Sequence, residues 1–291
     1  MTARSRSTAL VASALALAPA LACADDMVVV NSLRAGITVN TLVLTPPAPA
    51  KATVILLPGG DGLLSIAGGQ PTRLTGNFLV RTRTALLGQG FRTVLVDAPS
   101  DRQNATGLTG GFRTTVDHAR DLAGVVKHFV PDKYITITIP FFDFTVQIPN
   151  RDPWARIPGA VVGTSASAVS AALAANLPGG KTSNPNVTGV ALTSSVTSGP
   201  DSINNVALAS VKQPTLFVHH INDACSLSPY IDATSSAYGM MIAGTDVSFK
   251  EIAGGTSTAT DPCEAGTLHG FSRAGAPALD AIKTWVQSLQ R

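Results

Sequence analysis

Charge is what this chain has least of. Asp, Glu, Lys and Arg make up 13% of its 291 residues, against about 25% in an average globular protein. No block of like charge occurs, and the formal balance is only +3, which excludes the basic footprint of a nucleic-acid-binding protein. Three cysteines are too few for a small disulfide scaffold, and their spacing fits no zinc motif. No apolar run reaches the roughly 18 residues that a membrane span needs. What is present is apolar residue, 45% of the chain. That is enough to build a sizeable core, and it excludes disorder. Ser, Thr, Asn and Gly must therefore supply much of the surface polarity, and one domain is the natural reading at this length.

The first two dozen residues read as an export signal. Arg4 and Arg6 precede an apolar stretch over residues 9–21, and Ala22-Cys23-Ala24 supplies the small residues of a cleavage site. Cleavage after Ala24 leaves 267 residues, residues 25–291, with a formal charge of +1. The rival reading, a lipid-anchored Cys23, ranks second because Ala20-Leu21-Ala22 matches a lipobox poorly. Export places Cys225 and Cys263 in an oxidising compartment, where a lone pair is most simply a disulfide. It would close a loop of roughly 39 residues, for about 4 kcal/mol in the chain-entropy account. The alternative is two buried thiols.

Strands and helices alternate along the rest. Strands are expected at 37–45, 52–57 (ATVILL), 91–96 (FRTVLV), 160–162, 187–192, 214–218 and 247–252, and helices at 78–87, 116–130, 166–175 and 276–289. This pattern predicts an α/β fold, a mostly parallel open sheet with helices on both faces. Residues 134–149 break it. Their period of two on both sides of Pro140 reads as a small inserted β-hairpin. Phe141, Phe142 and Phe144 suggest a substrate lid, but the hairpin enters the sheet at its N-terminal edge, away from where α/β ligands bind. A structural flap or a self-association surface is the better reading.

Three residue types stand at strand ends. Gly163-Thr164-Ser165-Ala166-Ser167 follows the strand at 160–162 and opens a helix; a serine in so tight a turn needs small neighbours two positions away on either side. Ala168-Val169-Ser170-Ala171-Ala172 has the same spacing but lies inside the helix, so Ser165 is selected. The strand at 214–218 runs into His219-His220-Ile221-Asn222-Asp223, which makes Asp223 the candidate acid. His219 and His220 point to opposite faces of a strand and cannot easily share a metal ion, so they read as core or rim histidines. His269 follows the last strand, whereas His118 and His128 sit on a helix far from the strand ends.

Serine, acid and histidine in that chain order, each at a strand end, resemble the α/β-hydrolase family over nearly all of the mature chain, and within it the secreted, lidless esterase-like bacterial members. Only some twenty residues separate the strands at 187–192 and 214–218, too few for a cap domain. The resemblance implies acyl transfer, with Ser165 as nucleophile, His269 as base and Asp223 as its orienting acid. The oxyanion would be held by the amides of Ala166 and of Gly60, or Asp61 as second choice, in Pro58-Gly59-Gly60-Asp61-Gly62. Ser167 stands where the family has Gly, and the oxyanion loop lacks the usual His. A Cys225–Cys263 bridge would tie the acid loop to the base loop. A small or polymeric ester is the expected substrate, with no metal or organic cofactor required. Rival readings are a serine peptidase or amidase with the same triad, a thioesterase, and a catalytically silent fold used for binding.

Overall fold

Short, almost wholly apolar runs bounded by Pro and Gly build a sheet buried on both faces. In the computed structural model, which describes residues 25–139, 144–179 and 182–290, eight strands form it: β1 (Asp26–Asn31), β2 (Thr38–Leu44), β3 (Ala52–Leu57), β4 (Phe91–Pro99), β5 (Gly159–Thr164), β6 (Gly189–Thr193), β7 (Thr215–His220) and β8 (Val247–Ile252). Their order across the sheet is β1-β2-β4-β3-β5-β6-β7-β8. The β1–β2 and β2–β4 pairings are antiparallel and the rest are parallel.

The period of two along each strand divides the side chains between two cores. Ile55, Val94, Val96, Val161, Leu192 and Phe217 pack beneath α2 (Val116–Phe129), α3 (Ala168–Ala174) and α4 (Tyr230–Ile242). Val54, Leu56, Leu95, Val162, Leu216 and Val218 face α1 (Phe78–Leu87) and α5 (Gly275–Ser288) on the other side. Two helix starts are set by side chains. Asn77 caps α1 by accepting from the Leu79 amide at 3.1 Å, and Thr115 caps α2 by accepting from His118 at 3.2 Å.

The expected elements are present, with shifted ends. Residues 165–167 form a 3₁₀ turn before α3 begins at Ala168, so the helix expected from residue 166 starts two residues late. Strand β1 and helix α4 were not anticipated. The first is polar at both ends and largely exposed; the second buries only Ala233, Ala237 and Met240 while Ile231, Tyr238 and Ile242 face outward, the reverse of the usual pattern. Between β6 and β7 the chain makes only short 3₁₀ turns, so no cap covers the strand ends there.

Residues Tyr134–Ile139 and Phe144–Pro149 pair as the expected hairpin. It leaves the body between α2 and β5, at the N-terminal end of the sheet. Its register puts Ile135, Ile137, Ile139, Phe144, Val146 and Ile148 on one face, and nearly all of them are exposed. Phe141 and Phe142 lie outside the described residues.

His118 on α2 is buried, with Nε2 2.9 Å from Ser170 Oγ on α3. Burial, reinforced by the charges of Arg113 and Arg34, pushes its imidazole down to about 3. Below about pH 6.5 the unfolded chain therefore binds a proton that the folded chain does not. The stability held by neutral His118 is complete above that pH and is lost progressively as pH falls toward 3. Urea titrations from pH 7 to 4 should show wild-type stability falling more steeply than that of His118→Gln.

Candidate active site

Three sequence-predicted side chains, those of Ser165, Asp223 and His269, meet at the C-terminal ends of β5 and β7. Ser165 sits directly after β5 with φ at +55°, a left-handed conformation that costs a non-glycine residue of the order of 1–3 kcal/mol. The turn closes only because of what lies beside it. A Cβ on Gly163 would stand 2.1 Å from the Ser167 carbonyl oxygen, and one on Gly59 would stand 2.8 Å from Ser165 Cβ. Glycine is required at both places.

His269 comes from the loop between β8 and α5, and its Nε2 is 2.9 Å from Ser165 Oγ. Its Nδ1 is 2.8 Å from Asp223 Oδ2. With the proton on Nδ1, the ring donates to the carboxylate and leaves Nε2 free to accept the serine proton. Burial pushes the Asp223 carboxyl up, but hydrogen bonds from His219, His269 and the Cys225 amide more than offset this and hold it below the usual carboxylate range. Asp223 thus stays ionised beside the imidazole.

Three further residues shape the site without having been legible as such. Ser228 Oγ lies 2.9 Å from both Asp223 Oδ2 and His269 Nδ1, a second anchor for the pair. His219 is no bystander. Its Nε2 donates to the Ser228 carbonyl at 2.9 Å and stands 3.4 Å from Asp223 Oδ2. His220 instead bonds the Gly254 carbonyl, so the two neighbours diverge as strand geometry requires. Among the described residues no cluster of three or more His, Cys, Asp or Glu is arranged to hold a metal ion.

Arg113, wholly buried, is the third. Its Nη2 donates to the Gly60 carbonyl at 2.7 Å and its Nε to Ser167 Oγ at 3.1 Å, while Ser167 Oγ donates to the Pro58 carbonyl at 2.7 Å. Ser167, which stands where the resemblance expects glycine, thus both donates and accepts a hydrogen bond through its hydroxyl.

A cavity of about 300 Å³ opens on Ser165 and His269, at the small end of ligand-binding cavities. Leu74, Phe78, Ala265 and the half-cystine at 263 give it apolar walls, and Gly60 lines it beside Thr164. Of the two candidate loop donors only Gly60 reaches it. Asp61 is turned to its own loop, its Oδ2 2.5 Å from Arg73 and its Oδ1 accepting from the Leu63 amide. Ala166 is the second residue of the 3₁₀ turn, where an amide has no partner within its own helix.

Comparison with solved structures gives the same frame. A dienelactone hydrolase from Anabaena variabilis aligns with a TM-score of 0.58 at 15% identity, over 92% of this chain and all of that one. A cold-adapted esterase from an Arctic intertidal metagenomic library aligns with a TM-score of 0.58 at 11% identity, over 91% of this chain and 93% of that one. The fold is that of the α/β hydrolases. An acylaminoacyl peptidase from Pyrococcus horikoshii shares it at 12% identity and a TM-score of 0.55, with 90% of this chain matched to 40% of the peptidase. No protein-family model and no curated protein sequence matches the chain.

On this α/β-hydrolase frame Cys225 and Cys263 form a disulfide, with Cα atoms 4.6 Å apart. It joins the loop that carries Asp223 to the loop that carries His269. Replacing both cysteines with alanine should lower stability by about 2–4 kcal/mol, measured by chemical denaturation under non-reducing conditions.

Proposed function

We propose that this protein is an exported serine hydrolase that cleaves short carboxylic esters through an acyl-enzyme. The observation that carries the reading is the continuous contact from Ser165 Oγ to His269 Nε2 and from His269 Nδ1 to Asp223 Oδ2, set beside a cavity rather than within the core.

In this mechanism His269 takes the Ser165 proton as the serine oxygen attacks the ester carbonyl, and Asp223 stabilises the imidazolium that forms. The tetrahedral oxyanion is held by the amides of Gly60 and Ala166. His269 then protonates the leaving alcohol, and a water activated by the same ring releases the acid. The apolar walls at Leu74, Phe78 and Ala265 and the cavity volume of about 300 Å³ suit a short acyl chain. The step sequence calls for no metal or organic cofactor.

Ser165→Ala should abolish both labelling by a fluorophosphonate and turnover of p-nitrophenyl acetate, with the fold intact by circular dichroism. Persistent labelling would place the nucleophile elsewhere. The shared fold of the acylaminoacyl peptidase supports amide cleavage as the second reading. Turnover of acyl-amino-acid anilides at rates matching the corresponding esters would favour it.

Export rests on the leader pattern before Asp25, which lies outside the described residues, and on the Cys225–Cys263 bridge, which an oxidising compartment preserves. No helix among the described residues is long and apolar enough to cross a membrane. The protein recovered from periplasm or medium should have the mass of residues 25–291. Retention of the first 24 residues there would contradict the leader assignment.

A further inference from the structure

Two buried side chains outside the serine, histidine and acid converge on the loop that follows β3. Both are polar, and both bind its carbonyl oxygens. Ser167 Oγ holds the Pro58 carbonyl at 2.7 Å, and Arg113 Nη2 holds the Gly60 carbonyl at 2.7 Å. They are joined to each other at 3.1 Å through Arg113 Nε. The rest of the guanidinium is also engaged: Nη1 reaches the Leu108 carbonyl at 3.2 Å and Asp201 Oδ2 at 3.5 Å. We propose that Arg113, acting through Ser167 and the Pro58–Gly60 backbone, is a positioning residue for the oxyanion loop. The inference rests on the ester-hydrolase reading above.

The physical reason lies in peptide planarity. Fixing a carbonyl oxygen fixes the N–H of the same peptide on the opposite side. The Gly60 carbonyl is held by Arg113 and the Gly59 carbonyl by the Gly62 amide at 3.2 Å. The Gly59 carbonyl shares its peptide with the Gly60 N–H, the proposed donor, and Ser167 on the Pro58–Gly59 peptide and Arg113 on the Gly60–Asp61 peptide fix the planes on either side of it. Without such bonds a Pro-Gly-Gly stretch could rotate freely, because glycine accepts both signs of φ. Gly60 itself has φ at +64°. An amide that must wait in position for a developing oxyanion is effective only if it does not reorganise during the reaction.

The residue type matters as much as the place. Three separated acceptors, Gly60 O, Ser167 Oγ and Leu108 O, match the planar fork of a guanidinium; a lysine ammonium is a compact donor that cannot span them. Burial lowers the Arg113 pKa to about 10, with Asp201 and Asp61 opposing the shift. The side chain is thus cationic at neutral pH, behind the loop that faces the negative charge of the tetrahedral intermediate.

The test is steady-state kinetics on p-nitrophenyl acetate with the full mature chain. Arg113→Lys should lower kcat by about 10²-fold or more, the range seen when one oxyanion donor is lost, with KM within about threefold. Its rate of inactivation by a fluorophosphonate should fall in parallel. Ser167→Ala, a smaller change that keeps the fold if Arg113→Lys does not, should lower kcat about tenfold by the same split. A lower melting temperature with kcat unchanged in either variant would make the brace merely structural and overturn the proposal. So would a rise in KM alone, which would reassign the brace to the cavity wall. Absence of ester turnover in the wild type would instead sink the hydrolase reading, so the two failures are distinguishable.

Discussion

The backbone at Ser165 holds a left-handed conformation within contact distance of a second loop, and the arrangement of the site depends on that approach. The strain is tolerated because β5 and α3 are buried on all sides, so the turn cannot relax without breaking the core. Gly163 and Gly59 admit the contact, since any side chain at either would overlap the turn. The same proximity brings Ser167 against the Pro58 carbonyl and Arg113 against the Gly60 carbonyl. Ser165 and the loop after β3 are therefore two parts of one packed unit. Asp223 and His269 form the other, tied by Ser228 and by the Cys225–Cys263 bridge.

A chain with so little charge spends several of its charged and titratable groups inside. Arg113, Asp97, Asp121 and His118 are all buried. A buried ion is costly unless it is hydrogen-bonded; Arg113, Asp97 and Asp121 make bonds that fix loops, whereas His118 stays neutral. Asp97 Oδ1 accepts from the Leu64 and Ala98 amides at 2.7 and 2.8 Å, which anchors the start of the segment that walls the cavity. Arg34 joins Asp101 and Asp121, pinning the β1–β2 connection to α2. The low overall charge thus reflects a surface of neutral polar residues rather than an interior free of ions.

How much of this was legible in the sequence follows from the range of each signal. The central strands could be read because runs such as ATVILL are apolar on both faces, and the strand-end positions of Ser165, Asp223 and His269 followed from them. Strand β1 and helix α4 were hidden, the first by its polar ends and largely exposed side chains and the second by its inverted pattern. Arg113 lies 54 residues before Ser167 and 53 after Gly60, so no local spacing announces it. Ser167 was visible as a departure from glycine, yet its hydroxyl could be judged only against the partners that the fold supplies. Ser228 likewise looks like any loop serine until β7 and the His269 loop are brought together.

On the proposed mechanism, Ser165 and the Gly60 loop form one preorganised oxyanion site. A crystal structure of the protein after reaction with a fluorophosphonate tests it most directly. Phosphorus should be bonded to Ser165 Oγ, with the phosphoryl oxygen about 2.7–3.1 Å from the amides of both Gly60 and Ala166. The Arg113 contact to the Gly60 carbonyl should be retained in the adduct. A phosphoryl oxygen turned away from those amides, or a loop that has released Arg113 to accommodate the adduct, would contradict it.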